Sequence, residues 1–152
     1  MGYVYAGAKA MVELHQIEME QFLEVWKQAQ DSNLALPKTE DKDYASLEAL
    51  LRHVLGAARF YVIWSCKNLE LPDPGFDELP EEGSSFEDYR SSLAQILDRW
   101  GLPFKEVPEE AYYKQTYKTG WGTDHTIETM LEHAVVHPMR HRHQLSKLME
   151  RR

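Results

Sequence analysis

Two histidines four residues apart, His137 and His141, carry the clearest chemical signal in the sequence. On a helix that spacing sets side chains about one turn apart on one face, so both imidazoles can reach a single ion. A catalytic metal site takes three protein ligands and keeps a position open, which raises the question of a third donor. His15, His53 and His133 compete for that role. His53 adjoins Val54 near the start of an apolar helical stripe, where a side chain at the edge can project into a bundle. His133 lies one turn before His137, and three consecutive turns of one straight helix rarely converge on one small ion. That geometry favours His53 over His133.

The pair must be positioned by a helix, and residues 125 to 149 write one. Ile127, Leu131, Ala134, Pro138, His141, Leu145 and Leu148 recur at alternating steps of four and three, the seam of a helix packed into a bundle. His141 therefore occupies a core position. Pro138 removes a backbone hydrogen bond and crowds the preceding turn, at ~3 kcal/mol in an ordinary helix interior, so a kink is expected beside the site. Ala8, Val12, His15, Met19, Phe22, Trp26 and Ala29 predict a first helix over about 6 to 30. Residues 31 to 43 have the composition of a loop. Ser46 should start a second helix, with Leu47, Leu51, Val54, Ala58, Tyr61 and Ser65 as its seam as far as about Asn68. Ser85 with Asp88 three residues later starts a third, carried by Phe86, Tyr89, Leu93, Ile96 and Trp100 and ended by Gly101 and Pro103. From Phe104 to Asp124 the tyrosines and Trp121 suggest extended structure, and Gly120 and Gly122 a turn. The expected architecture is all-α: a single four-helix-bundle domain over residues 1–152, with a long structured connection before the last helix.

The chain has 152 residues, of which 43% are hydrophobic, enough for one well-buried core and cramped for two. Asp and Glu number 25 against 17 Lys and Arg, a formal charge of -8, which argues against non-specific binding to nucleic acid or anionic lipid. Arg140, Arg142, Lys147, Arg151 and Arg152 gather at the end of the last helix, where cations complement its dipole. A lone Cys66 excludes an intrachain disulfide, and the absence of a signal-peptide pattern or an apolar run of roughly 20 residues fits a soluble cytoplasmic protein without a membrane partner. Cys66 lies about 220° around and ~20 Å along the helix from His53, too far to share an ion, and reads as buried and inert.

Several segments resemble the DinB-like family, the damage-inducible or YfiT-like bundles. Leu50-Leu51-Arg52-His53-Val54 is similar to that family's second-helix histidine. His137-Pro-Met-Arg-His141-Arg-His-Gln144 resembles its closing motif of histidine, three residues, histidine, arginine, any residue, glutamine, although His143 stands where a glycine is more usual. Trp121-Gly122 followed by Thr126-Ile127 resembles its lead-in. The likeness covers nearly the whole chain as architecture and about 25 residues as motif. It implies a divalent metal, zinc first and nickel second, held by His53, His137 and His141, and it suggests a homodimer. It also implies a small-molecule substrate, with a low-molecular-weight thiol as the transferred or activating group.

Around that expected site, His15 reads as a satisfied core histidine, His125 as a surface residue, and His143 points roughly 200° away from His141. Asp124, Glu128 and Glu132 are candidates to orient ligand imidazoles. Phe60, Tyr61, Trp64, Trp26 and Trp100 read mostly as core. Three functions follow: a thiol S-transferase-like metalloenzyme, a metal-dependent hydrolase using activated water, and a non-catalytic metal-binding stress-response or interaction protein. The last predicts a fourth protein ligand, with His15 or His133 as its source.

Overall fold

The computed structural model describes residues 2–151 and is mostly helical, with four α-helices and one two-stranded sheet. All four helices follow apolar spacing, and a capping side chain starts α2, α3 and α4. Helix α1 runs Ala6–Asp31, α2 Leu47–Asn68, α3 Phe86–Trp100 and α4 Ile127–Glu150. Ser46 caps α2 by accepting from the Ala49 N–H, and Thr126 caps α4 by accepting from the Thr129 N–H, each at 3.0 Å. Ser85 and Asp88 close a reciprocal capping box at the head of α3. Such caps satisfy amide donors that the first helical turn leaves unpaired, worth ~1 kcal/mol each.

The inward stripes meet in one core. Ala8, Met19, Phe22, Trp26 and Ala29 of α1 are buried together with Leu51, Val54 and Ala58 of α2, Tyr89, Leu93, Ile96 and Trp100 of α3, and Ile127, Leu131, Ala134 and Leu145 of α4. Val12, Leu47, Phe86 and Leu148 are only half-buried, three of them at the ends of their stripes. Helix α1 lies along α4, and Arg142 pairs with Glu18 at 3.3 Å across that seam. Indole donors tie elements together from inside: Trp26 Nε1 gives to the Leu47 carbonyl at 2.7 Å and Trp100 Nε1 to that of Ala58 at 2.9 Å. Gly101 is required by a close approach, because a Cβ there would run into the Tyr3 hydroxyl and Val12.

Helix α4 continues through Pro138, whose ring is buried. His137 and His141 thus stand on either side of the proline without leaving the helix. The basic residues near its end are partly engaged, Arg142 with Glu18 and Lys147 with Glu150. Arg152 lies outside the described residues.

The connection from 104 to 124 departs from the expected extended structure. Tyr112 sits in a 3-10 turn, Glu109–Tyr112, with its hydroxyl donating to the Phe104 carbonyl at 3.0 Å and its ring 4.9 Å from that of Tyr5. Burial of a polar-tipped ring needs that acceptor, and a local turn supplies it where a strand would alternate sides. Only Tyr117–Lys118 (β1) and Asp124–His125 (β2) pair as antiparallel strands, with Tyr117 opposite His125. Gly122, at φ 88, makes the turn between them. No helix among the described residues is long and apolar enough to cross a membrane.

Candidate metal centre

Helix α2 brings His53 from one side and α4 brings His137 and His141 from the other, so the facing helices supply the three donors. One nitrogen from each ring lies within 4.8 Å of the other two, and among the described residues no other group of His, Cys, Asp and Glu converges in this way. The rings of His137 and His141 are 4.7 Å apart by centroid, the outcome of the four-residue spacing, and His53 completes the triangle at 4.9 and 5.6 Å. His137 and His141 are buried while His53 is half-buried.

The outer nitrogens fix which inner atoms carry lone pairs. Gln144 Oε1 lies 2.9 Å from His141 Nδ1, and an amide oxygen only accepts, so Nδ1 holds the proton and Nε2 is left bare. That Nε2 is buried without a hydrogen-bond partner. The Asp43 carboxylate lies 3.3 Å from His53 Nδ1 and favours the proton there by the same logic. His53 Nε2 then faces His137 Nε2 at 3.0 Å. In the metal-free protein His137 can satisfy that approach by donating from Nε2. An electrophile between the rings would satisfy it with both lone pairs. Ligand nitrogens at ~2.1 Å from a tetrahedral ion are ~3.4 Å from one another, a spacing inside the range set by the 3.0 Å contact and the 4.8 Å limit. The donor set therefore fits a divalent ion.

Burial keeps the His137 and His141 rings neutral. Burial, followed by the charges of His141, His53 and Arg140, lowers the His137 imidazole to about 2. Burial lowers His141 to about 4, against the pull of the Gln144 hydrogen bond. Both are free bases at neutral pH, the form that binds metal.

The remaining histidines do not join the group. The His133 ring is nearly parallel to that of His137, 15° at 6.2 Å between centroids, and its nitrogens fall outside the convergent group. His15 is buried flat against Trp100 at 3.7 Å and 10°, with neither nitrogen hydrogen-bonded. It is thus core but not satisfied, contrary to the sequence expectation. His143 is exposed. His125 is half-buried in β2, with its ring 5.9 Å from Trp121 and 6.0 Å from His133, because the hairpin folds back over α4.

None of Asp124, Glu128 and Glu132 orients a site imidazole; Glu128 instead accepts from the Tyr5 hydroxyl at 2.6 Å. Asp43 and Gln144 take that role. Gln144 entered the sequence reading only as the end of the resembling motif, and its place three residues after His141 is the signal that could have found it. Asp43 has no such signal, since it reaches His53 only through the fold of the 3-10 turn Lys42–Tyr44 against α2. That turn also sets the Tyr44 ring 5.6 Å from His53 and 5.5 Å from His141.

His53 and His137 open onto a pocket of about 690 Å³ that also includes Tyr44, Phe60, Tyr61 and Trp121. Phe60 is 38% exposed and belongs to this pocket, not to the core, whereas Trp26, Trp64 and Trp100 are buried as expected. His141 lines a second pocket of about 630 Å³ on the far side of Tyr44. Cys66 is buried, and burial pushes its thiol up to about 11, consistent with an inert residue. Comparisons with family models, curated proteins and solved structures gave no match for this chain.

Proposed function

We propose that the chain is a metal-dependent enzyme of DinB-like type, with His53, His137 and His141 holding a divalent ion and the adjoining pocket taking a small-molecule substrate for low-molecular-weight-thiol S-transfer. The observation that carries this reading is the convergence of three imidazole nitrogens at a pocket wall, two of them with their outer nitrogens held by Gln144 and Asp43. Bound there, zinc or nickel would act as a Lewis acid, holding a thiol as thiolate or lowering the pKa of water.

The protein side supplies what such chemistry needs. Burial keeps His137 and His141 neutral, so an ion can bind with a tautomer shift at His137 and no net loss of protons from the rings. Gln144 and Asp43 hold two rings in one tautomer and orientation. His15 and His133 stay out of the convergent group, which leaves room for an exogenous ligand and favours catalysis over a closed structural site. Tyr44, against both His53 and His141, limits water access from the side of the 3-10 turn. A cytoplasmic homodimer accompanies the reading, and sedimentation showing only monomer at micromolar concentration would remove the dimer from it.

Metal analysis of purified protein, followed by a screen of thiols with electrophiles, tests the function. The expected result is one divalent ion per chain and thiol-dependent turnover that a chelator abolishes. Metal without turnover or thiol binding would instead support a non-catalytic metal-binding protein, and turnover of esters or amides without thiol would support a hydrolase.

A further inference from the structure

The geometry points to a carboxylate-bearing substrate with a flat apolar body, its carboxylate held by Arg140 and its body laid against the exposed rings of Phe60 and Trp121. The inference deepens the proposed function, since it concerns the pocket onto which His53 and His137 open.

Charge sorting is the first support. The chain has 25 Asp and Glu against 17 Lys and Arg, yet the pocket lining includes Arg52 and Arg140 and no acidic residue. Arg52 is already engaged, donating to the Pro80 carbonyl and to the Tyr89 hydroxyl. Arg140 is exposed and makes no hydrogen bond or ion pair with another described residue. It shares the pocket wall with Tyr44 and Tyr61. A guanidinium at the wall of a cavity whose lining has no acidic residue offers a planar fork that matches a carboxylate.

The second support is where the exposed aromatic surface lies. Trp121, 47% exposed, stands at the turn between β1 and β2, and its ring centroid is 5.9 Å from that of Phe60, itself 38% exposed. Large rings left in water beside a cavity are the surface that a flat apolar group would cover. Gly56, one turn before Phe60 on α2, keeps the floor clear: the only atom near a Cβ built there is a Leu79 methyl at 3.9 Å. His133, 5.9 Å from Trp121 at 26°, lines the same pocket beside the indole.

Titration of the metal-loaded and the chelator-treated protein with phenylacetate and with its neutral isostere phenylacetamide, followed by tryptophan fluorescence, tests the assignment. Wild type should bind phenylacetate about fivefold more tightly than phenylacetamide, the scale of one solvent-exposed charge pair. Arg140→Gln should equalise the two probes by weakening phenylacetate alone, and Arg140→Lys should recover part of the preference. Trp121→Ala, followed by NMR of the probe, should weaken both probes equally. Helix content by circular dichroism confirms that each variant is folded. Equal binding of the probes to wild type, or a preference that survives Arg140→Gln, would overturn the inference. A preference lost with chelator but kept in Arg140→Gln would put the carboxylate on the ion, overturning the role of Arg140 while leaving the metal reading intact. A preference that needs Arg140 in a protein that binds no metal would uphold the inference and sink the metal reading alone.

Discussion

His141 and His15 occupy equivalent positions in the sequence pattern, each a histidine on the apolar seam of a long helix, and each is 1% exposed. Their surroundings differ. His141 has one nitrogen held by Gln144 and the other turned toward two more imidazoles. His15 lies flat on Trp100 with both nitrogens unpartnered. A buried imidazole costs stability unless its polar atoms are used. The first site offsets part of that cost through the Gln144 hydrogen bond and would offset the rest through a ligand bond to a bound ion, while the second has ring stacking alone. A histidine on a seam thus signals function only when neighbouring elements bring further donors to the same point.

The largest separation between the two sites should come from metal binding. His141→Ala removes a donor and should weaken metal affinity by more than the 10–100-fold typical of losing an outer hydrogen-bond partner, whereas His15→Ala should leave it unchanged. Isothermal titration with zinc checks both. Without metal, His141→Ala should cost about 1–2 kcal/mol, a small cavity offset by the loss of a buried bare nitrogen. With metal at 100 times its dissociation constant, wild type gains ~2.7 kcal/mol, so its advantage should widen, and chelator should narrow it. His143→Ala is the matched control. Equal metal retention by the His141 and His143 variants would show the site to be misplaced.

Acid tests the account of His15 without reference to metal. Burial lowers His15 from its ordinary 6.5 to about 3, so between those pH values the unfolded chain binds the proton that the folded chain refuses. Its contribution is therefore fully present above about pH 6.5 and is lost as pH falls toward 3, at up to ~1.4 kcal/mol per pH unit. His15→Phe keeps the stack on Trp100 and removes the proton site. Its denaturation midpoint should exceed that of wild type by a margin that grows below pH 6.5, and parallel curves for the two proteins would refute this account of His15.

Smaller effects sharpen the contrast. Gln144→Leu and Asp43→Asn leave all three donors in place but release an outer nitrogen, and each should weaken zinc binding roughly 10-fold. His133→Ala should change it by less than about threefold, because its nitrogens fall outside the convergent group. A tenfold loss in the His133 variant would make it a fourth ligand and favour a closed, structural site.

The four helices were legible because each writes a seam within its own segment and two of them a cap: α1 and α2 end within a residue or so of where the spacing places them, and Ser46 and Ser85 cap where expected. His53, His137 and His141 were legible because the spacing of two lies on one helix and the resemblance supplied the third. Asp43, Tyr44 and Arg140 were not, since their roles arise when a loop and a helix face meet across space. The segment from 104 to 124 misled for a related reason: its tyrosines resemble a strand, but the buried hydroxyl of Tyr112 is satisfied by a local turn. His15 gave the same one-dimensional signal as His141, and only the absence of partners separates them.

The most direct measurement is anomalous scattering from crystals of metal-loaded protein, collected at the zinc and nickel edges. The account predicts one peak about 2.0–2.1 Å from a nitrogen of each of His53, His137 and His141, with at least one coordination position free of protein atoms. A peak elsewhere, or a fourth protein ligand closing the sphere, would contradict it.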